Sequence, residues 1–182
     1  MIIEERKIIL KDGRECTLRN ANADDGEAMI AYLKQTAAET PYLLRYPEEV
    51  RYTLEMEREI LEKFRLEERW LMIAAEVEGR LAGNCSVAPI GSRIRVRHRC
   101  TIGIALLKEF WGLGIGTAMF ESMLQFAKDS GYEQAELEVV ANNERGLALY
   151  KKMGFVAYGE RPHGMKHKDG TYVNEIMMVK ML

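Results

Sequence analysis

The spacing of hydrophobic and polar residues divides the chain into short strands and helices. Residues 15–20 alternate in the sequence E-C-T-L-R-N and predict a strand. The charged segment that follows Pro47 is amphipathic and predicts a helix that runs to about residue 64. The candidate buried positions on its apolar face are Val50, Leu54, Ile60, Leu61 and Phe64. The same patterns predict further helices at 24–37, 116–130 and 143–153, and further strands at 70–77, 81–88, 95–107, 133–140, 155–159 and 173–180.

The order of these elements is β-α-α-β-β-β-α-β-α-β-β, which is typical of a mixed α/β fold. Strand pairs dominate the first half, where the turn Glu78-Gly79 joins two strands into a hairpin. Helical crossovers dominate the second half. No stretch rich in Pro, Gly or Ser interrupts the pattern, so we expect residues 1–182 to form a single domain.

Composition and charge exclude several classes of protein. The 182 residues include 26 basic and 28 acidic side chains, and a net charge of −2 disfavours a general nucleic-acid binder. The chain has no run of 18 apolar residues, and segment 1–12 does not resemble a secretory signal, so we expect a cytoplasmic protein without a membrane partner. Cys16, Cys85 and Cys100 lie far apart without a C-x-x-C spacing, which predicts reduced thiols and no metal site.

The sharpest local feature is W-G-L-G-I-G-T at 111–117, whose residues 112–117 we call the glycine loop. It follows an apolar strand and opens a helix. Alternating glycines let backbone N–H groups turn toward one point without interference from a Cβ atom. The start of the helix adds free N–H groups and the positive end of its dipole. The loop therefore predicts a phosphate or pyrophosphate site, with a flexible turn of purely structural glycines as the alternative.

Two common phosphate loops do not match this spacing. A Walker A loop ends in Gly-Lys-Ser/Thr, but Gly116 is followed directly by Thr117. A dinucleotide fingerprint needs a third glycine three residues after the second, and from Gly114 and Gly116 that position is Met119. The glycine loop is therefore of another class.

A second block at 137–155 reads L-E-V-V-A-N-N-E-R-G-L-A-L-Y-K-K-M-G-F. Together the two blocks resemble the Gcn5-related N-acetyltransferase (GNAT) superfamily of acetyl-CoA-dependent acyltransferases. Its first motif is Gln/Arg-x-x-Gly-x-Gly/Ala, and its second is an Asn turn followed by Ala-x-x-Leu-Tyr-x-x-x-Gly-Phe. The resemblance is close over 95–159 and implies a central mixed, mostly antiparallel sheet flanked by helices. Trp111 departs from the pattern, because it stands where the first motif has Gln or Arg.

In this family the strand before the loop splays from its neighbour, and its backbone pairs with the amides of the pantetheine arm of acetyl-CoA. The resemblance therefore implies that the backbone of Ile104, Ala105 and Leu106 contacts this arm. It also implies that the pyrophosphate lies on the amides of Gly112, Leu113, Gly114, Ile115, Gly116 and Thr117. Asn143 matches the family asparagine that meets the pantetheine arm, and a helix cap is its alternative role. Such folds often pair through their last strands, which makes a homodimer a further expectation.

Acetyl transfer to an amine requires a neutral amine, a stabilised oxyanion and a proton for the leaving thiolate. Tyr150 matches the family tyrosine that points at the cofactor sulfur, which implies a general acid, whereas simple packing is its alternative role. Glu138 lies where some members carry a glutamate base. It shares a strand face with Glu136 that we expect helices to cover, so burial would raise its pKa. A solvated Glu138, with deprotonation through a water chain, is the alternative. A nucleophilic role for Cys100 is disfavoured, because the family transfers the acetyl group directly.

The acceptor is the least determined part. Family members build the acceptor groove from the first helices, the hairpin loops and the final strands, here roughly 32–64, 89–99 and 159–173. Three tyrosines in the first segment and two histidines in the last indicate a small primary amine with a carboxylate, such as an amino acid: Tyr42, Tyr46, Tyr52, His163 and His167. The family implies direct attack within a ternary complex. Polyamines, aminoglycosides, protein N-termini or lysines, and a non-catalytic acyl-CoA-binding module stay open as alternatives.

Overall fold

The computed structural model describes residues 2–182, which form eight strands and four helices. The strands are β1 Arg6–Ile9, β2 Glu15–Asn20, β3 Leu71–Val77, β4 Arg80–Pro89, β5 Arg99–Leu106, β6 Gln134–Val140, β7 Val156–Lys166 and β8 Tyr172–Met181. The helices are α1 Gly26–Glu39, α2 Leu54–Leu66, α3 Ile115–Asp129 and α4 Glu144–Lys152. Short 3-10 turns lie at Ala23–Asp25, Pro47–Glu49 and Lys108–Phe110.

All eight strands belong to one sheet with the order β1-β2-β3-β4-β5-β6-β8-β7. Neighbouring strands are antiparallel except β5 and β6, which are parallel and are connected through α3. The prediction of a mixed, mostly antiparallel sheet flanked by helices is therefore confirmed.

Helices cover both faces of the sheet centre. α1 and α2 contact β4 and β3, whereas α3 contacts β3, β4 and β5. The consecutive residues 71–75 of β3 are all buried, and because side chains alternate along a strand this requires cover on both faces. The core therefore lies on both sides of β3 to β5, while β7 extends beyond it with mostly exposed residues.

The second helix begins later than predicted. Pro47 opens only a 3-10 turn, and Val50 is buried outside any helix. α2 begins after Thr53, whose Oγ1 accepts a hydrogen bond from the Met56 N–H at 3.2 Å. Thr53 starts the helix because its side chain satisfies one of the free N–H groups of the first turn. Residues 40–53 therefore form a long connection between the two helices.

Other strand boundaries also differ from the prediction. Strand β1 shows no alternation in its sequence R-K-I-I and was not predicted. Residues 95–98 form a turn, so β5 begins only at Arg99. Residues 160–166 lie outside the predicted strands but belong to β7, because this segment pairs across an exposed extension of β7 and β8. His163 lies at an irregularity of β7 with a φ of 54°, and its ring stacks on Tyr172 with 4.5 Å between centroids.

Cys16, Cys85 and Cys100 are buried and free. Burial raises the pKa of Cys100 to about 12, so this residue offers no thiolate near neutral pH. Among residues 2–182, no group of three or more His, Cys, Asp or Glu side chains could hold a metal ion. No helix within that range is both long and apolar enough to cross a membrane.

Candidate active site

Strands β5 and β6 separate beside a cavity of about 960 Å³. Their parallel pairing runs from Arg99 beside Gln134 to Thr101 beside Glu136 and then stops. On its other side β5 stays paired with β4 as far as Leu106. The second half of β5 therefore has one backbone edge without a strand partner. We call this part of β5, residues 102–106, the open edge.

In every second residue of β5, the backbone N–H and carbonyl groups point toward β4 instead of the open edge. Ala105 is one of these, because its carbonyl accepts a hydrogen bond from the Tyr32 hydroxyl at 2.7 Å. The same hydroxyl accepts from the Asn84 N–H at 3.1 Å, so Tyr32 bridges β4 and β5. The carbonyl of Ala105 therefore points toward β4 and Tyr32, and the contact of its backbone with the pantetheine arm stays a prediction.

Trp111 lies at the end of the open edge. Its indole Nε1 donates to the Leu106 carbonyl at 2.8 Å, and the Arg145 guanidinium lies 4.9 Å from the centroid of its ring. By the alternation of backbone directions along β5, the N–H and carbonyl of Ile104 and the N–H of Leu106 point toward the open edge. Trp111 thus joins strand to loop and brings the charge of Arg145 close to the glycine loop.

The glycine loop turns the chain from β5 into α3. Gly112 and Gly114 have φ angles of 79° and 106°, which side-chain-bearing residues rarely adopt. Gly114 is the N-cap of α3 and supplies no side-chain hydrogen bond, so the first N–H groups of the helix lack a side-chain partner. The loop therefore presents several N–H groups and the positive end of α3, an arrangement that suits an anion.

Neighbouring elements hold the glycine loop in place. The Leu113 carbonyl accepts from the Lys11 N–H at 3.2 Å, and Ile115 is fully buried. A Cβ atom on Gly116 would lie 3.1 Å from the Leu149 side chain, so α3 and α4 pack closely here. The side chains of this loop are thus used for packing, and its backbone is the part left for a ligand.

Basic side chains surround the glycine loop. The Lys152 ammonium donates to Thr117 Oγ1 at 3.2 Å. A second cavity of about 490 Å³ adjoins the loop, and four basic residues line it: Arg6, Lys11, Arg145 and Lys152. A negative group seated on the loop would therefore be partly neutralised by side chains as well as by the backbone.

Asn143 is the N-cap of α4. Its Oδ1 accepts from the Gly146 N–H at 3.0 Å. A Cβ atom on Gly146 would lie 2.7 Å from the Asn143 Nδ2, so the cap in this form requires glycine at position 146. The alternative role of Asn143 as a cap is therefore observed. Asn143 also lines the cavity, so the ligand contact stays a prediction alongside the cap.

Tyr150 lines the same cavity at the far side of the open edge. Its ring packs against Phe120 and Phe155, with centroids 5.5 Å and 6.5 Å away. Desolvation raises the pKa of Tyr150 to about 12, which keeps the phenol protonated at neutral pH. Among the hydrogen bonds of residues 2–182 none engages its hydroxyl. Tyr150 thus combines packing with a free proton donor that lines the cavity.

Glu138 lies at the cavity wall but is not buried, so the expectation of a covered carboxylate is wrong. Its side chain is 49% exposed and forms two hydrogen bonds with the Arg161 guanidinium, at 2.7 and 2.8 Å. Arg161 also pairs with Glu175 at 2.9 Å. Glu136, which lies on the same strand as Glu138, pairs with Arg99. The reason is that α1 and α2 lie over β3 and β4, and neither packs over the glutamate-bearing face of β6.

Arg145 and Glu57 line the cavity and were not predicted as site residues, and neither was Tyr32, which bridges β4 and β5. Tyr32 resembles any core aromatic residue of an amphipathic helix, so no sequence signal sets it apart. Arg145 follows the Asn-rich turn directly, and that position was a usable signal. Glu57 also left a signal, because its spacing to Leu61 and Phe64 puts a charged residue on the apolar face of α2.

Comparison with known proteins agrees with this geometry. Residues 29–155 match the acetyltransferase (GNAT) family. An N-alpha-acetyltransferase of Saccharolobus solfataricus is 30% identical over 146 residues, which cover 79% of this chain and 81% of that protein. The crystal structure of a GNAT-family acetyltransferase from Streptococcus pneumoniae superposes with a TM-score of 0.88 at 26% identity, covering 92% of this chain and 99% of that one.

A phosphinothricin acetyltransferase of Sinorhizobium meliloti, solved in complex with acetyl-CoA, shares the fold with a TM-score of 0.80 at 18% identity. That match covers 92% of this chain and 88% of the other. In the present structure the open edge at Ile104 fits the amides of a pantetheine arm, and the glycine loop fits a pyrophosphate. The chain belongs to the GNAT family and is an acetyl-CoA-dependent N-acetyltransferase.

Proposed function

We propose that this enzyme transfers the acetyl group of acetyl-CoA to the primary amine of a small molecule, by direct attack in a ternary complex. The observation that carries the proposal is that the cavity of about 960 Å³ borders both the open edge and the helices α1 and α2. We call the open edge, the glycine loop and Asn143 the donor side. The part lined by α1, α2 and loop 40–53 is the acceptor side.

The loop between α1 and α2 restricts access to the acceptor side. The Tyr42 hydroxyl donates to the Asn142 carbonyl at 3.5 Å. The Tyr46 hydroxyl accepts from the Lys168 N–H at 2.9 Å, and the Lys168 ammonium pairs with Glu48. These contacts tie the loop to the hairpin of β7 and β8 and to the end of β6. A bridged cavity supports a small acceptor over a large one.

The residues of the chain suggest how it uses acetyl-CoA, whose thioester supplies the activated acetyl group. The backbone of Ile104 and the N–H of Leu106 hold the pantetheine arm as an added strand would. Tyr150 donates its phenolic proton to the leaving thiolate, a role that its raised pKa permits. Glu138 is the candidate base, acting directly or through water. Its exposure and its pairing with Arg161 favour an acceptor whose amine loses its proton readily.

A protein N-terminus is the second candidate acceptor. The relative from Saccharolobus solfataricus is named an N-alpha-acetyltransferase. An α-amino group has a pKa near 8, against about 10.4 for a lysine-like amine, so it needs less help from a base. A peptide would need the loop between α1 and α2 to release its contacts with Lys168 and Asn142.

The test is the release of free CoA thiol from acetyl-CoA in the presence of amino acids, other small primary amines, and peptides with free N-termini. We expect the fastest release with a small amine. Faster release with peptides would favour the second candidate, and CoA binding without release for any amine would contradict both. Lys168→Ala should speed the reaction of peptides more than that of small amines, while Lys166→Ala on the same hairpin should change neither.

A further inference from the structure

The acceptor side contains a mostly apolar chamber between two helices and the sheet. Its walls come from Leu33 and Thr36 of α1, Ile60 and Phe64 of α2, and Met72 of β3. This chamber is part of the same cavity that borders the open edge. An acceptor bound there could therefore reach the acetyl group without leaving the cavity.

Glu57 of α2 is an acidic residue in the wall of this chamber. Only 2% of the residue is exposed. Its Oε2 is shielded from solvent, and no group among residues 2–182 donates a hydrogen bond to it. Glu57 thus lines the cavity, and one of its two carboxylate oxygens has no hydrogen-bond partner among these residues.

Arg45 also lines the cavity, but it does not form an ion pair with Glu57. The Arg45 guanidinium donates to the Tyr52 hydroxyl at 3.1 Å and lies 5.7 Å from the centroid of that ring. No salt bridge within 4 Å joins Arg45 and Glu57 in the described chain. Arg45 exerts only a longer-range attraction that partly offsets the effect of burial on the Glu57 pKa.

The position of Glu57 costs stability that the fold could avoid. An ionised carboxylate without a partner in an apolar wall is strongly disfavoured, and burial accordingly raises the pKa of Glu57 above its ordinary value. An apolar residue here would continue the stripe formed with Leu61 and Phe64. A cation supplied from outside would remove the penalty, because a buried charge is tolerated when it is paired.

We infer that Glu57 is the counter-ion for the acceptor as it binds in its ammonium form, and that the acceptor is a primary amine on an apolar stem. The bound ammonium then passes one proton to Glu57 or to water, and the neutral amine attacks the thioester. The stem packs against Ile60, Phe64 and Met72 while the ammonium binds the Glu57 carboxylate. The inference rests on the proposed function, since it names the class of small amine that the enzyme accepts.

The test is binding of phenethylamine and hexylamine, with 2-phenylethanol and hexanol as their neutral counterparts, to the protein saturated with CoA. Calorimetry near neutral pH should show the amines binding at least about tenfold more tightly than the alcohols, the usual gain from a hydrogen bond to a charged group. Glu57→Gln should abolish this difference. Glu55→Gln should keep it, because Glu55 carries the same charge in the same helical turn but is exposed.

The outcomes separate this inference from the proposed function. Equal binding of amines and alcohols, absence of amine binding, or an unchanged preference in Glu57→Gln would each overturn the role of Glu57. The assay uses CoA, which has no acetyl group to transfer, so it does not depend on turnover. Amine binding that requires Glu57 but yields no thiol release with acetyl-CoA would leave the site standing and contradict the proposed reaction.

Discussion

The donor side and the acceptor side of the cavity are built from different parts of the chain. The donor side uses backbone groups, namely the open edge of β5 and the N–H groups of the glycine loop. The acceptor side uses side chains from α1, α2 and loop 40–53, among them Glu57 and Arg45. On the proposed function, backbone groups on one side would hold acetyl-CoA, and individual side chains on the other would select the acceptor.

This difference explains why the two sides can be changed independently. Backbone geometry depends on φ angles and strand separation, so it is sensitive to glycine positions and tolerant of most side chains. A chamber lined by side chains tolerates substitutions that leave the backbone unchanged. It loses its ligand when the one charged side chain that binds the ligand is removed. Four changes test the comparison, beginning with the donor side.

Gly114→Val should weaken CoA binding more than the other three changes do. Gly114 has a φ of 106°, and a side chain there costs about 1–2 kcal/mol of strain that the loop would relieve by rotating its N–H groups. We expect the CoA dissociation constant to rise by at least about tenfold, measured by calorimetry. Gly79→Val is the control, because Gly79 has a φ of 75° in the remote turn between β3 and β4. Equal CoA binding in both variants would disprove the loop assignment.

Tyr150→Phe should lower kcat by about 10²-fold while leaving CoA binding unchanged, since a general acid typically contributes 10²–10⁴-fold. The ring still packs on Phe120 and Phe155, so the fold is preserved. Tyr158→Phe removes an exposed hydroxyl and serves as the control. A kcat equal to that of the wild type would reduce Tyr150 to a packing role.

Glu138→Gln should lower kcat by about tenfold and shift the rising limb of the pH–rate profile, if Glu138 takes the proton from the acceptor. Glu136→Gln is the matched control on the same face of β6, where the glutamate pairs with Arg99 instead of Arg161. The measurement is kcat against pH with one acceptor. An unchanged profile would assign deprotonation to water.

Glu57→Gln should raise stability at about pH 8 and have no effect at pH values well below 4.5. The pKa of Glu57 in the folded protein is raised above 4.5, the value expected in the unfolded chain. At pH values between the unfolded and the folded pKa, the folded protein therefore holds an extra proton. Stability of the wild type therefore falls as pH rises through this window, and the variant is spared that loss. Urea unfolding at both pH values measures it, with Glu55→Gln as control. A variant less stable than the wild type at about pH 8 would mean that Glu57 has a structural partner.

Sequence patterns predicted most of the fold for a clear reason. The alternating β2 and the apolar β3 and β4 contain enough periodic residues to define strands. The four residues of β1, three of them exposed, do not, and they become a strand only because β2 offers hydrogen bonds. The start of α2 was misplaced, since Pro47 and Thr53 are both good helix starters and only the packing of Val50 separates them.

The candidate site divides in the same way. The glycine loop, Asn143 and Tyr150 lie in contiguous motifs, so local spacing located them. The sequence located Glu138 at the site but predicted the wrong environment for it, because the cover of β6 by a helix depends on where α1 and α2 pack. Glu57 left a trace in the apolar stripe of α2, yet one glutamate among many in a charged helix becomes distinctive only when the structure shows it buried.

The amino-acid sequence alone determined the family, the order of elements and the loop that suits the pyrophosphate, because each depends on residues close together along the chain. Tertiary structure decided which backbone groups of β5 are free, through the insertion of Tyr32 and the contact of Trp111. It also decided that Glu138 is paired and exposed, while Glu57 is buried with one carboxylate oxygen that has no hydrogen-bond partner among residues 2–182. Burial and ion pairing depend on residues that are far apart in the sequence, so only the packing of the folded chain determines them.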